Sequence, residues 1–442
     1  MVQFGSSGVR GIANEEITPQ LALNFGLAVG SIYPEVVVGH DPRISSEMIE
    51  HAIVAGLLSA GSKVVKVGMV PTPTLAIASK KYDCGIMITA SHNPAQYAGM
   101  KFFKDGMSFN TGRQEEIEHI LAEKKFRYAK WDKTGDLSVM DDALETHHDI
   151  ILKNTKRSNL KVVVDCGNGA ASVITPYVLR GMGCEVITIN SQPDGHFPGR
   201  DPEPIDINLG QLKATVKASG ADIGIAHDGD ADRMMAVDNL GRFIDGDKLL
   251  ALFSTREAKT AIVVPLDTSA VIDDILNKDH KRKKIKISRT RVGDIYISEE
   301  LCKTGGEFGG EPSGALIFPR ISMCPDGIYA AARLVEIVDE EGDLNKLIDS
   351  IPEYPIKRGK IQSSNREEAM KEIVREIDKL GDFDLGKISM LDGIRIDLDE
   401  GWILIRPSGT EPIIRITAES ASICDDLYEK AQGIVKKACE NN

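Results

Sequence analysis

The sequence predicts an α/β protein: three related α/β domains on parallel or mixed sheets, followed by a smaller α+β domain. Three observations predict it. Short β-branched apolar runs alternate with longer amphipathic stretches up to Ile351, an order that gives parallel strands covered by helices. A hydrophobic strand followed by a polar turn recurs at about a hundred residues: Val38-Gly39-His40-Asp41, Val164-Asp165-Cys166-Gly167 and Val264-Pro265-Leu266-Asp267. Beyond the prolyl run Ile351-Pro352-Glu353-Tyr354-Pro355, alternating segments lie between two helical stretches, an α+β pattern. The expected domains are residues 1–150, 151–250, 251–352 and 353–442.

The elements follow in order. Val36–Gly39, Val64–Val67, Gly85–Thr89, Val162–Val164, Val186–Ile189, Ile223–Ala226 and Ile262–Val264 read as strands. Their continuous apolar character suits a sheet buried on both faces. Pro19–Val29 and Met48–Ala60 read as helices, the second stopped by Gly61. In the tail, a charged helix is expected near Arg366–Lys379. Strands are expected at Gly393–Asp397, Trp402–Ile405 and Ile413–Ala418, before a final helix.

The chain has 442 residues, enough for three or four domains at roughly 100–200 residues each. Its net charge of −13 argues against nucleic-acid binding, which needs a basic footprint. Seven scattered cysteines with no CxxC pair read as reduced thiols rather than a disulfide framework or zinc site. No apolar run approaches the eighteen or so residues of a membrane helix. A cytoplasmic protein that engages no membrane is expected.

Five loops carry chemistry. Asp228, Asp230 and Asp232 alternate with Gly229 and Ala231 and precede Arg233. Alternate side chains in an extended or tightly turned segment project to one side. Three carboxylates at that range repel unless a cation joins them, and hard oxygen ligands favour Mg²⁺ or Ca²⁺. An EF-hand is excluded, since Arg233 and Asn239 stand where it needs glycine and glutamate. The loop follows the strand Ile223–Ala226, so it lies at the C-terminal strand end where ligands bind in open α/β sheets.

Thr89-Ala90-Ser91-His92-Asn93-Pro94 follows another buried strand. It is not a Gly-x-Ser-x-Gly elbow. Beside a metal, Ser91 can carry a phosphoryl group, whose oxygens add a further metal ligand. His92 and Lys101 are both candidates for general acid and base. Gly309-Gly310-Glu311-Pro312-Ser313-Gly314 brings backbone close to a ligand, with Glu311 and Ser313 able to bond vicinal hydroxyls. Arg406-Pro407-Ser408-Gly409-Thr410-Glu411, with Arg415 beyond, offers the guanidinium forks and exposed amides that a dianionic phosphate needs. The small-residue loop from Gly5 through Ser6 to Arg10 and Gly11 is a further cradle.

Together these motifs resemble the α-D-phosphohexomutases. Residues 89–94 match that family's serine loop, 228–233 its metal loop, 310–314 its sugar loop and 406–412 its phosphate loop. The opening glycine loop and Gly39-x-Asp41-x-Arg43-x-Ser45 match as well. The resemblance implies four domains around a central cleft. It implies a phosphorylated Ser91 held by Mg²⁺ on Asp228, Asp230 and Asp232. A hexose phosphate would be converted through a sugar 1,6-bisphosphate, which also serves as activator. It further implies Arg10 at the reacting phosphoryl group. Substrate contacts are implied from Ser6, Arg233, Arg291, Gly293, Glu311, Ser313, Arg406, Ser408, Gly409, Thr410 and Arg415.

Thr290-Arg291-Val292-Gly293-Asp294 resembles the loop of phosphoglucosamine mutases. Glucosamine phosphate is therefore the expected substrate, ahead of mannose or glucose phosphate. Ala315 departs from the family, many of whose members carry histidine there. A monomer or a homodimer is compatible with the sequence. Outside this class, a metal-dependent aspartyl phosphatase built on Asp228 and Asp230 is the rival, and a sugar-phosphate sensor without catalysis is the other.

Overall fold

The computed structural model describes residues 4–5, 8–277, 284–376, 385–408 and 412–440. Its strands form four sheets. The first sheet uses β1 (Val9–Ile12), β2 (Glu35–His40), β3 (Lys63–Met69), β4 (Cys84–Ile88), β5 (Tyr97–Lys104), β6 (Met107–Ser108) and β7 (Leu137–Val139). The order is β1-β5-β4-β2-β3-β7, with β6 paired to β5. The second sheet contains β8 (Lys161–Asp165), β9 (Glu185–Ile189), β10 (Ile223–His227) and β11 (Met234–Asp238), ordered β11-β10-β8-β9. The third has β12 (Ala261–Pro265), β13 (Lys286–Thr290), β14 (Phe308–Gly310) and β15 (Leu316–Ile317), ordered β13-β12-β14-β15.

The recurring strand–turn motif has one structural meaning. β2, β8 and β12 are each flanked by two parallel neighbours. Buried on both faces, they are the continuous apolar runs seen in the sequence. The seven expected strands form at these places, and the two early helices run Pro19–Ile32 and Ser46–Ser59. Gly61, at φ +88°, turns the chain after the second helix. Helices Gly246–Glu257 and Gly327–Glu341 join the cores of the second and third sheets into one apolar cluster.

The sheets are mixed. In each of the first three, a parallel strand is followed by an antiparallel return: β4 to β5, β10 to β11, and β14 to β15. Antiparallel neighbours need only a short connection, whereas parallel ones need a crossover. The serine, metal and sugar loops are those short connections, at the C-terminal ends of β4, β10 and β14.

The last sheet is antiparallel throughout: β16 (Ile356–Gln362), β17 (Leu385–Ser389), β18 (Ile394–Leu398), β19 (Gly401–Pro407) and β20 (Ile413–Ser420), ordered β16-β20-β19-β18-β17. One face packs on helices Arg366–Glu376 and Cys424–Glu440. The other face sets Trp402 and Leu404 against Leu266 of the third sheet's domain. The phosphate loop is again a hairpin connection, between β19 and β20. The charged helix expected near Arg366–Lys379 is described to Glu376; the rest of that range lies outside the described residues.

No helix among the described residues is long and apolar enough to cross a membrane. The cysteines are free thiols, five of them buried.

Candidate active site

The serine loop is held from behind. Arg43 is buried, and its guanidinium donates to the carbonyls of Ser91 (2.7 Å), Asn93 (2.6 Å), Pro94 (2.7 Å) and Tyr97 (3.1 Å). Asp41 fixes that guanidinium through Nε at 3.0 Å. Asp41 also accepts the Thr89 hydroxyl at 2.7 Å, and Thr89 Oγ1 in turn accepts the Ser91 amide at 2.8 Å. These bonds hold Ser91 at φ +52°, a left-handed conformation that a non-glycine residue adopts only when its surroundings impose it.

The metal loop has a counterpart device. Arg200 donates to the carbonyl of His227 at 2.6 Å and to Asp165 at 2.8 Å, at the end of β8. The two loops then meet. A side chain on Gly229 would strike the carbonyl of Ser91 at 2.6 Å, so only glycine permits the approach. Ala231 sits at φ +58°, which bends the segment tightly.

The triad is buried, and one carboxylate oxygen from each of Asp228, Asp230 and Asp232 lies within 4.8 Å of the others. Ser91 Oγ donates to Asp228 Oδ2 at 2.7 Å. Lys101 Nζ bridges Asp230 Oδ2 at 2.7 Å and Asp232 Oδ2 at 2.5 Å. Thr72 Oγ1 donates to Asp230 Oδ2 at 2.5 Å. The remaining oxygens, Asp230 Oδ1 and Asp232 Oδ1, are buried with no hydrogen-bond partner. Such orphans are costly. They mark where a hard cation fits, since the donor set is oxygen only.

The electrostatics agree. Burial, then Asp232 and Asp230, raises the Asp228 carboxyl well above its ordinary range. Burial and Asp230 raise Asp232. For Asp230 burial acts upward, but Lys101 and the Thr72 hydroxyl prevail and hold it low. Against burial, the carboxylates keep Lys101 charged. His92, with Nδ1 3.5 Å from Ser91 Oγ, is kept neutral by Arg233, burial and Arg10. Arg10 donates to Asn93 Oδ1 at 3.1 Å, and burial lowers its pKa. Arg233 stays charged because Asp228, Asp232 and Glu311 outweigh its burial.

The sugar loop is stitched to this cluster. Arg233 and Ala315 form an isolated antiparallel bridge, and the Met234 amide donates to Gly314 O at 3.0 Å. Glu311 Oε2 accepts the Ser313 hydroxyl at 3.0 Å, leaving Oε1 buried without a hydrogen-bond partner. Burial and Asp294 push the Glu311 carboxyl up to about 7, against Arg233.

The structure thus brings Ser91, His92, Lys101, Arg10, Asp228, Asp230, Asp232, Arg233, Glu311 and Ser313 to one side of three sheets. The phosphate loop belongs to the last sheet, where Arg406 and Arg415 are register partners across β19 and β20. Arg291 and Gly293 stand before helix Asp294–Thr304. Arg291 Nε donates to Leu391 O at 3.0 Å. The Val292 amide donates to Asp392 Oδ2 at 3.0 Å, and that same oxygen lies 3.8 Å from Arg406 Nη1. Asp392 therefore links the two loops. Ser408 donates its amide to Ile413 O at 2.9 Å. Ser6, Gly409 and Thr410 lie outside the described residues.

Thr72 and Asp392 escaped sequence reasoning as site residues, because an isolated hydroxyl or acid carries no spacing signature. Arg43 and Asp41 were visible in the Gly39-x-Asp41-x-Arg43 motif, though not their hold on the serine loop.

Comparison with known proteins gives the family and the fold. The chain matches four successive family descriptions: phosphoglucomutase/phosphomannomutase alpha/beta/alpha domain I over residues 1–128, domain II over 141–241, domain III over 245–354, and the C-terminal domain over 363–424. A Methanococcoides burtonii protein described as "Probable phosphoglucosamine mutase" is 54% identical, covering 99% of this chain and 100% of that one. A protein of the same description from Methanocella arvoryzae is 52% identical over 100% and 99%. Among solved structures, a phosphoglucomutase/phosphomannomutase family protein from Burkholderia thailandensis superposes with a TM-score of 0.85 at 27% identity, covering 99% and 97%.

Proposed function

The chain belongs to the phosphoglucomutase/phosphomannomutase family and is a phosphohexomutase, an isomerase; from that premise we propose that it converts glucosamine 6-phosphate to glucosamine 1-phosphate through a phosphorylated Ser91. The observation that carries the mechanism is the Ser91 hydroxyl resting on Asp228, within the oxygen-lined acidic triad. The substrate rests on relatives of 54% and 52% identity that bear the phosphoglucosamine mutase description.

Asp228, Asp230, Asp232 and the Ser91 phosphoryl oxygens would hold Mg²⁺, which when bound supplies neutralising charge to the phosphoryl oxygens. The chain's own groups do the rest. Arg10 and Arg233 bring fixed positive charge to the transferring group, where transfer demands positioning and electrostatics above all. The sugar O1 hydroxyl attacks phosphorus: the O1–P bond forms, the P–Oγ bond of Ser91 breaks, and the O1 proton passes to a base. His92, with Nδ1 3.5 Å from Ser91 Oγ, and Lys101, whose Nζ bridges Asp230 and Asp232, are the candidates for base and acid. The 1,6-bisphosphate turns in the site, and its 6-phosphoryl group returns to Ser91: the Oγ–P bond forms, the P–O6 bond breaks, and O6 takes up the proton that O1 gave. Glu311 and Ser313 hold sugar hydroxyls. Ser6, Arg291, Gly293, Arg406, Ser408, Gly409, Thr410 and Arg415 complete the grip on the substrate, chiefly on the phosphate that is not reacting.

A phosphatase acting through Asp228 is disfavoured: it gives Ser91 no role, whereas the Ser91 hydroxyl donates to Asp228 Oδ2 at 2.7 Å. The decisive experiment is a coupled assay with Mg²⁺ and a trace of sugar 1,6-bisphosphate. Glucosamine 6-phosphate, mannose 1-phosphate and glucose 1-phosphate are compared at equal concentration. Preference for the amino sugar is expected; preference for a neutral sugar overturns the substrate and leaves the chemistry standing.

A further inference from the structure

Thr72 opens the helix Thr72–Ser79, all eight residues of which are buried. A hydroxyl in so apolar a setting needs a partner, and Thr72 meets a single residue twice. Its amide donates to Asp230 O at 2.9 Å, and its Oγ1 donates to Asp230 Oδ2 at 2.5 Å. The first contact sets the backbone of the metal loop against the first domain; the second fixes the carboxylate plane. With Oδ2 taken by Thr72 and Lys101, Oδ1 is the buried oxygen left over.

The two donors differ in stiffness. Lys101 reaches Asp230 on a four-carbon stem and shares its ammonium with Asp232. Thr72 is β-branched, with a restricted χ1, on a helix without surface freedom. Two residues further on, Thr74 Oγ1 meets His147 Nδ1 at 2.8 Å, and His147 Nε2 meets Asp326 Oδ2 at 3.0 Å. Asp326 caps helix Gly327–Glu341, and a side chain on Gly327 would strike the carbonyl of Arg233 at 2.5 Å. The helix that carries Thr72 is therefore locked to the far side of the same metal loop.

We propose that Thr72 is a positioning residue for the cation: its hydroxyl orients the Asp230 carboxylate so that Oδ1 is presented, and thereby sets the protein's affinity for Mg²⁺. The proposal rests on the Mg²⁺ reading of the triad. Hydrogen-bond partners of metal-ligating carboxylates commonly change metal affinity by about 10–100-fold when removed.

The test is calorimetric titration of MgCl₂ into the dephosphorylated full chain, so that turnover plays no part, with thermal melts as the control for folding. Wild type binds, and Asp230→Asn loses binding; if wild type takes up no Mg²⁺, or Asp230→Asn binds like wild type, the metal reading itself fails. Given that baseline, Thr72→Val is expected to weaken binding about 10–100-fold, with Thr72→Ser restoring most of it. Thr74→Val, which removes the His147 contact instead, is expected to lower the melting temperature and leave Mg²⁺ affinity unchanged. Wild-type affinity in Thr72→Val, no recovery in Thr72→Ser, or equal losses of affinity in Thr72→Val and Thr74→Val, overturns the proposal while the metal reading stands. If Thr72→Val fails to fold, Thr72→Ala carries the same prediction.

Discussion

Ser91 Oγ donates to Asp228 Oδ2 at 2.7 Å although 137 residues separate them in sequence. The contact joins the hairpin turn of one domain to that of the next. It places the candidate nucleophile on the acidic triad before any metal or sugar is considered.

Ser91→Ala removes the atom that would carry the phosphoryl group. Turnover is expected to fall by at least about a thousandfold, while binding of the sugar phosphate survives. Steady-state assays together with intact-mass measurement check this: the variant should also lose any phosphoprotein mass. Near-normal turnover would end the serine mechanism.

Mg²⁺ is expected to raise the melting temperature, because it relieves repulsion among three buried carboxylates and binds the native state only. At a hundredfold excess over Kd the linkage is about 2.7 kcal/mol. Chelation should abolish activity and re-addition restore it. Differential scanning calorimetry of wild type and Asp232→Asn makes the comparison; equal shifts in both would contradict the assignment.

Arg43→Met strips the guanidinium from the carbonyls of Ser91, Asn93, Pro94 and Tyr97 and leaves Asp41 buried without its counter-charge. Breaking a buried pair in this way costs about 3–5 kcal/mol, readable by urea unfolding. Arg43→Lys should rescue little, since a single ammonium cannot reproduce the planar fork. Full rescue by lysine would mean that charge alone, and not the fork geometry, holds Ser91.

Glu311 gives a pH signature. Its carboxyl is raised to about 7 by burial and Asp294, against Arg233. A folded pKa above the unfolded one means that the native state binds the extra proton. Its contribution is most favourable below the unfolded pKa and is lost as pH rises from about 4.5 to about 7. Glu311→Gln should flatten the stability profile across that window, by roughly 1–3 kcal/mol. An unchanged profile from chemical denaturation at several pH values would reject the assignment.

Much of the site was legible in the chain because its residues are local. Asp228, Asp230 and Asp232 share one turn, and Thr89 to Pro94 share another, so spacing alone displays them. Thr72 was not legible: its partner lies 158 residues away, and a threonine between two prolines looks like any helix start. Asp392 was hidden for the same reason, since it accepts from Val292, 100 residues away and across a domain boundary. The antiparallel return strands β5, β11 and β15 were also unmarked, because a short run of residues reads alike in either direction.

The sequence by itself determined which chemistry was available: buried strands ending in small-residue turns, three carboxylates on one loop, a serine on another, and guanidinium forks for phosphate. Each is a property of neighbours along the chain, where periodicity and side-chain type suffice. Only the tertiary structure decided which of those groups meet. It set Gly229 against the Ser91 carbonyl, bridged Asp230 and Asp232 with Lys101, and left Oδ1 of each without a partner. Those relations come from packing between domains, which depends on distances that no local pattern encodes.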